Sequence, residues 1–498
     1  MSEERISRSA GFAFLAQMVG AVLTAVLTIF LGRSLSPEQY GSLTFAFSVL
    51  VIATLFADLG ISSSTGRYMA ERRNDPAAAA RVFRTGMRLK VRVGVVASVA
   101  LFLLAGPICN AFGTSAATWP LRGLAVSLLA QSVFLLLLAA FIAIGKIKYN
   151  VVIATVESVA ELFASIVLVL LGAAATGAAF GNAIGFTVGL LVGLMVAKRG
   201  IGSLRESHRQ QSEPSLHLIV SPRQILSYAR PLLFVDAAFR VFASVDVLLI
   251  AALVGGGAPV AAFGISMRLS AFLDYPAAAV GSAVAPRFAL RNERERSVGL
   301  MSESLRYLLI LQMLITAPLI IWSEAIVNLI FGTKYPEAPE VLQAFAPFVY
   351  LSGIAQITTL AVNYLGEARR RVPIAIAMLA TNVTVDVILL PKIGIVAGAI
   401  GTSAAYAVWV PAHLWLLRGH VGLRLRPLLV TGLRTCVAGA AMVGVLAALG
   451  TGDVPWPLML AGLIAGPAVY LMALLAVREL TLGDFAAIRG MVARRVAA

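Results

Sequence analysis

Charge is what this sequence has least of. Only 13% of its 498 residues are Asp, Glu, Lys or Arg, against 59% hydrophobic, whereas a soluble domain carries about 25% charged residues. Such a chain cannot cover a water-facing surface, which excludes the soluble globular classes. Cysteine is equally scarce. Cys109 and Cys436 stand alone in different apolar runs, so a disulfide framework and a thiolate metal site are both excluded and packing is their expected role. The histidines show no metal-ligand spacing: His208 and His217 lie in a polar stretch, His413 and His420 near the end of an apolar one. There is no Gly-rich Walker-type loop, so ATP is not the direct driver of whatever work the protein does. No cofactor and no metal are expected.

What remains is apolar sequence in long runs. Those long enough to span a bilayer lie at roughly 11–31, 41–66, 91–109, 121–143, 150–172, 175–197, 231–254, 260–285, 307–330, 340–364, 372–391, 396–417, 428–449 and 456–477. They predict an all-α polytopic membrane protein of about fourteen helices. The first run is longer than the apolar region of a signal peptide and has no small-residue cleavage site, so a retained helix is expected. An even count puts both termini on one side. The formal charge of +16 follows that topology and calls for no nucleic acid: most Lys and Arg crowd the termini's side, and only Arg33, Arg122, Lys334 and Lys392 lie in opposite loops. Arg240, Arg268 and Arg434 fall within spans. The positive-inside rule then predicts cytoplasmic termini.

The polar stretch 198–230 separates a six-helix lobe, 1–197, from a second, 231–417, and residues 418–498 add two helices and a tail. That stretch reads equally as a linker between moving lobes or as a solvated loop with an interfacial helix. Ser36, Pro37, Glu38 and Gln39 spell a helix start: an N-cap, a first-turn proline and acid, and a capping-box partner three residues on. Gly32 to Gly41, after the first run, has a weak echo in Gly255 to Gly264 after the seventh, and Gly177–Gly181 an echo in Gly398–Gly401. Parallel repeats of this kind suit a transporter with its site at the repeat interface.

The motif Gly-Arg-x-Leu-x-Pro-Glu-x-Tyr-Gly at Gly32–Gly41, followed by an apolar span ending in Asp58-Leu59-Gly60, resembles the polysaccharide exporters and O-antigen-type flippases of the multidrug/oligosaccharidyl-lipid/polysaccharide superfamily. So does Asn382 to Ala404, with its Asn-x-x-x-Asp-x-Ile-Leu-Leu-Pro-Lys pattern. The resemblance implies a flippase that moves an undecaprenyl-diphosphate-linked oligosaccharide across the inner membrane, working beside a polysaccharide polymerase and a chain-length regulator, with H+ or Na+ as coupling ion. It also implies that the Arg33 motif is structural, although Arg33 stands at the outer mouth and remains a candidate ligand.

An ionisable residue inside a span costs roughly 2.5–3.5 kcal/mol on insertion scales, so each is a candidate for function. Asp236 and Arg240 are four residues apart and either pair with each other or line a groove with Asp246. Arg240 and Arg268 are the candidate diphosphate binders, because a guanidinium forks phosphate oxygens and keeps its charge when buried. Asp274 lies on the same span as Arg268. Glu157 and Glu161 share a face; either they form a proton-coupling pair or they meet Lys146, Lys148 and water. Asp58 sits before a glycine and a serine run that mark a helix break, and Asp386 is read as a bond between neighbouring helices. Three functions compete: the flippase, a cation-coupled multidrug exporter, and a membrane polymerase or ligase. The two arginines and the helix count weigh against the second. Against the third, the longest outer connection, Gly106 to Pro120, holds no acid and no histidine.

Overall fold

The capping box forms as the sequence specifies. The Ser36 hydroxyl accepts the Gln39 N–H at 3.3 Å, Gln39 Oε1 accepts the Ser36 N–H at 3.1 Å, and Pro37 takes the first helical position. The computed structural model describes residues 3–206, 222–277, 294–364, 370–452, 454–481 and 483–484. It is helical, with no strand among the described residues. The helices are α1 Glu3–Ser34, α2 Pro37–Asp58, α3 Ile61–Glu71, α4 Pro76–Ala111, α5 Thr118–Ala143, α6 Ile147–Leu168, α7 Ala174–Glu206 and α8 Pro222–Leu253. They continue with α9 Ala258–Phe272, α10 Arg294–Phe331, α11 Ala338–Ala344, α12 Ala346–Tyr364, α13 Arg371–Ile393, α14 Val396–Val421, α15 Leu425–Ala448 and α16 Trp456–Ala476. The stretch with His208 and His217 lies outside the described residues.

Among the described residues nine helical runs are long and apolar enough to cross a membrane, or ten if α11 and α12, bent by 45°, count as one span. One of the nine, Ile147–Lys198, is 52 residues long. Straight, it would reach nearly 80 Å, more than twice a bilayer core. It does not run straight. At Gly172 (φ 90°) and Ala174 (φ 45°) the chain leaves helical geometry, and α7 returns along α6. The register is read from glycines: a Cβ at Gly181 would meet Ser165, at Gly185 Glu161, at Gly189 Glu157, and at Gly193 Leu137 and Ile153. Each step of four on α7 is answered by a step of four on α6. This is an antiparallel hairpin of two spans in which a ladder of glycines on α7 lies against α6, backbone to backbone at Gly181 and Gly185.

The chain packs as two units. The first comprises Met1–Ile265 and Asp386–Gly398. Within it the two echoing motifs meet: a Cβ on Gly41 would lie 1.8 Å from the Gly257 carbonyl oxygen, and one on Gly264 would lie 2.6 Å from Thr44 Cγ2. Only glycine permits that contact. At the other end of α2 the expected break is present: Leu59 and Gly60 both adopt left-handed φ (45° and 72°) and α3 restarts at Ile61.

The second unit comprises Ser266–Val385 and Ala399–Ala498. In it α15 and α16 are built onto α10. Trp322, Met442, Leu446, Tyr470 and Leu474 form the core, the Tyr470 hydroxyl donates to the Ile310 carbonyl at 2.8 Å, and the Trp322 N–H donates to that of Gly450 at 3.1 Å. Each buried aromatic thus finds a polar partner for its heteroatom. Cys109 is buried as expected, whereas Cys436 is exposed.

Candidate functional site

The helix break at Leu59–Gly60 ends α2 on Asp58 and turns its carboxylate toward α4. There it meets the ammonium of Lys90, and the hydroxyl of Ser62, the second residue of α3, donates to it at 2.5 Å. The Lys90 side chain is 0% exposed and that of Asp58 16%. One turn earlier on α2, Thr54 Oγ1 accepts a hydrogen bond from Arg240 Nη1 of α8 at 2.6 Å. Arg240 lies near enough to Lys90 for the two cations to repel. Three helices therefore bring two cations and one anion together inside the first unit, with a net positive charge; Lys90 is buried, and Asp58 and Arg240 are half-buried. An anionic group entering such a cluster finds donors already paired and positioned, and can be held by bidentate contacts.

The sequence singled out Asp58 and Arg240 but not Lys90. The signal was present: Gly86, Lys90 and Gly94 are spaced by four, so Lys90 shares a face with two small residues. Gly86 packs against Thr65 and Gly94 against Ser132 and Leu129, so this face is the one turned into the protein. Arg84, Arg88 and Arg92 on the same helix are exposed.

The remaining candidates fall in other places. Arg33, at the end of α1, is exposed. Asp236 lies in α8, with its side chain outside the described residues. Asp246, further along α8, is buried and faces the carboxylate of Asp386 on α13. Asp386 is 0% exposed, and neither of its oxygens accepts an N–H or hydroxyl among the described residues. Two carboxylates in contact away from water repel unless a proton or cation lies between them. Glu157 and Glu161 stand along the α6–α7 crossing. Glu157 accepts from Ser158 at 3.1 Å, while Glu161 accepts from Asn182 of α7 at 2.8 Å, and the Asn182 amide oxygen accepts from Ser127 of α5 at 2.6 Å.

In the second unit, Asp274 follows α9 and accepts the Ser352 hydroxyl of α12, which Gln312 of α10 also contacts at 3.2 Å. Arg268 lies on α9, about two turns before Asp274. Asn363 accepts from Arg371 Nη1 at 2.6 Å, and that guanidinium lies 5.4 Å from the Trp409 ring centroid. No group of three or more His, Cys, Asp or Glu among the described residues has the arrangement of a metal site.

Residues 6–290 match the family described as polysaccharide biosynthesis protein. A probable low-salt glycan biosynthesis flippase of Haloferax volcanii, Agl15, is 25% identical over 171 residues, which cover 33% of this chain and 36% of that relative. The match thus spans about a third of the relative's length. Among solved structures, the lipid II flippase MurJ in an inward closed conformation superposes with a TM-score of 0.71 at 15% identity, over 93% of this chain and 98% of that one. An inward-facing multidrug resistance MATE family transporter gives 0.66 at 15% identity, over 82% and 98% of the two chains. A superfamily transporter from Pyrococcus furiosus gives 0.62 at 15% identity, over 83% and 95%. At such identities the likeness shows the fold, that of polytopic membrane transporters.

Proposed function

Because the chain belongs to the polysaccharide biosynthesis protein family, we propose that it is a flippase moving an undecaprenyl-diphosphate-linked oligosaccharide from the cytoplasmic to the outer leaflet of the inner membrane. In this reading both termini are cytoplasmic, the protein is a carrier and not an enzyme, and its product feeds a polysaccharide polymerase and chain-length regulator. The observation that carries it is the cluster of buried Lys90 with half-buried Asp58 and Arg240. A net positive site inside a membrane protein suits a diphosphate and disfavours the cationic cargo that the alternative, a multidrug exporter, would carry.

Arg240 is the binder we assign in the first unit and Arg268 in the second, with Asp58 acting through its hold on Lys90. Arg33, Asp236 and Asp274 are assigned supporting contacts to the cargo. Asp246 with Asp386, and Glu157 with Glu161, are the acid pairs at which uptake of H+ or Na+ would couple to transport.

The experiment is leaflet accessibility. Proteoliposomes receive lipid-linked oligosaccharide on one leaflet, and its sugars are probed from the other. Protein-dependent exposure is expected, with Arg240→Ala and Arg268→Ala abolishing it and Lys at either position restoring only part, since an ammonium lacks the fork. Full activity of both alanine variants would remove the site assignment. Expulsion of a cationic dye on an imposed ion gradient, without sugar crossing, would replace the proposed function with drug export.

A further inference from the structure

Where α10, α15 and the end of α16 come together, a cavity of about 410 Å³ is lined by Arg306, Arg426, Thr431, Arg434, Arg478 and Glu479, among others. Four guanidiniums share this hollow with one carboxylate. Glu479 is buried and fully engaged, accepting from Arg306 Nε at 2.7 Å, Thr431 Oγ1 at 2.9 Å and Arg434 Nη1 at 3.2 Å. Arg306 also donates to the Glu479 carbonyl and reaches Asp484 at 3.6 Å. Arg426 and Arg478 are exposed and pair with no acid among the described residues. Even with Asp484 counted, positive charge is in surplus.

The floor of the cavity is cross-linked by hydrogen bonds. Glu479 ties α10 to α15, and Arg434 extends from within its span toward the end of α16, donating to the Arg478 carbonyl at 3.2 Å as a snorkelling arginine does. Beside the stripe Arg426–Val430–Arg434 runs a second stripe on α15, Leu429, Leu433 and Val437, which are 71%, 69% and 53% exposed. This ridge starts level with the guanidiniums and follows the helix for roughly 12 Å. A soluble anion would use the arginines and leave the ridge untouched. A ligand with a phosphate head and an apolar chain uses both.

We propose that this cavity binds the phosphate headgroup of an anionic phospholipid of the surrounding bilayer, with an acyl chain lying along Leu429, Leu433 and Val437. Guanidiniums fork phosphate oxygens, and a basic pocket between membrane helices is the setting in which anionic headgroups are held. The site shares no residue with the Lys90–Asp58–Arg240 cluster, and the proposal does not depend on what the protein transports.

The test uses the full-length protein in detergent, titrated with phosphatidylglycerol or phosphatidylcholine, with bound lipid counted by native mass spectrometry. Phosphatidylglycerol is expected to bind in preference. R426Q/R478Q should weaken it about thirtyfold, the equivalent of ~1 kcal/mol for each basic residue, and leave phosphatidylcholine binding unchanged. Both side chains are exposed and unpaired, so the variant should unfold at the wild-type temperature. L429S/L433S should also weaken phosphatidylglycerol. Equal affinity for the two lipids, or undiminished phosphatidylglycerol binding in R426Q/R478Q, would overturn the proposal. So would complete displacement of the lipid by millimolar inorganic phosphate, which would identify a site for soluble anions.

Discussion

The Asp58–Lys90 pair makes a prediction about order as well as size. Removing one partner of a buried ion pair costs about 3–5 kcal/mol, because the survivor is left charged and without its partner. The two survivors here differ. After Asp58→Asn, the Lys90 side chain, 0% exposed, faces the repulsive charge of Arg240. That variant should lie at the top of the range, about 4–5 kcal/mol. After Lys90→Met, Asp58 keeps the Ser62 hydroxyl at 2.5 Å and its 16% exposure to solvent, so the cost should fall to about 2–3 kcal/mol. The double variant leaves neither charge behind and should cost less than Asp58→Asn alone, giving a coupling energy of at least ~2 kcal/mol. Equilibrium unfolding of the four proteins in mixed micelles measures the cycle. Equal costs for the two single variants, or a double variant at the sum of the singles, would refute the reasoning.

The glycine ladder predicts opposite signs for one kind of substitution at two sites. A Cβ at Gly181 would lie 2.5 Å from Ser165 Cα, so Gly181→Ala must part α6 from α7; overpacking of ~1–3 kcal/mol should outweigh the ~1 kcal/mol that alanine gains in helix propensity. At Gly444 of α15 a Cβ would meet nothing within 4 Å, and Gly444→Ala should stabilise by up to ~1 kcal/mol; thermal unfolding of the two variants checks the signs. For coupling, Glu157→Gln and Glu161→Gln should flatten the pH dependence of glycan transport across proteoliposomes, and an unchanged profile would remove their proton role.

Local chemistry was legible in the sequence because it depends on neighbours along the chain. The start of α2 at Ser36, the break after Asp58 and the reversal between the fifth and sixth apolar runs all follow from residues a few positions apart. The pairing of Asp246 with Asp386 does not, since it joins α8 to α13 across a long sequence separation that periodicity cannot bridge. Lys90 was hidden for a different reason. It lies in an arginine-rich segment, and only its phase relative to Gly86 and Gly94 sets it apart from the exposed arginines around it. The ladder on α7 was visible at Gly177 and Gly181, but its extension to Gly193 carries meaning only once α6 supplies the opposite register.

The α6–α7 seam has a mechanical consequence. Side chains that interlock can be re-sorted into another arrangement as neighbours shift, whereas backbone lying on backbone, as at Gly181 and Gly185, has a single seating. Sliding by one residue would drive a bulky neighbour of each glycine into the opposing helix, and sliding by a full turn would strand one rung. The hairpin is therefore a stiff plank, and any rearrangement of the first unit during a transport cycle should be taken up elsewhere, at joints such as the left-handed pair Leu59–Gly60, while α6 and α7 travel as one piece.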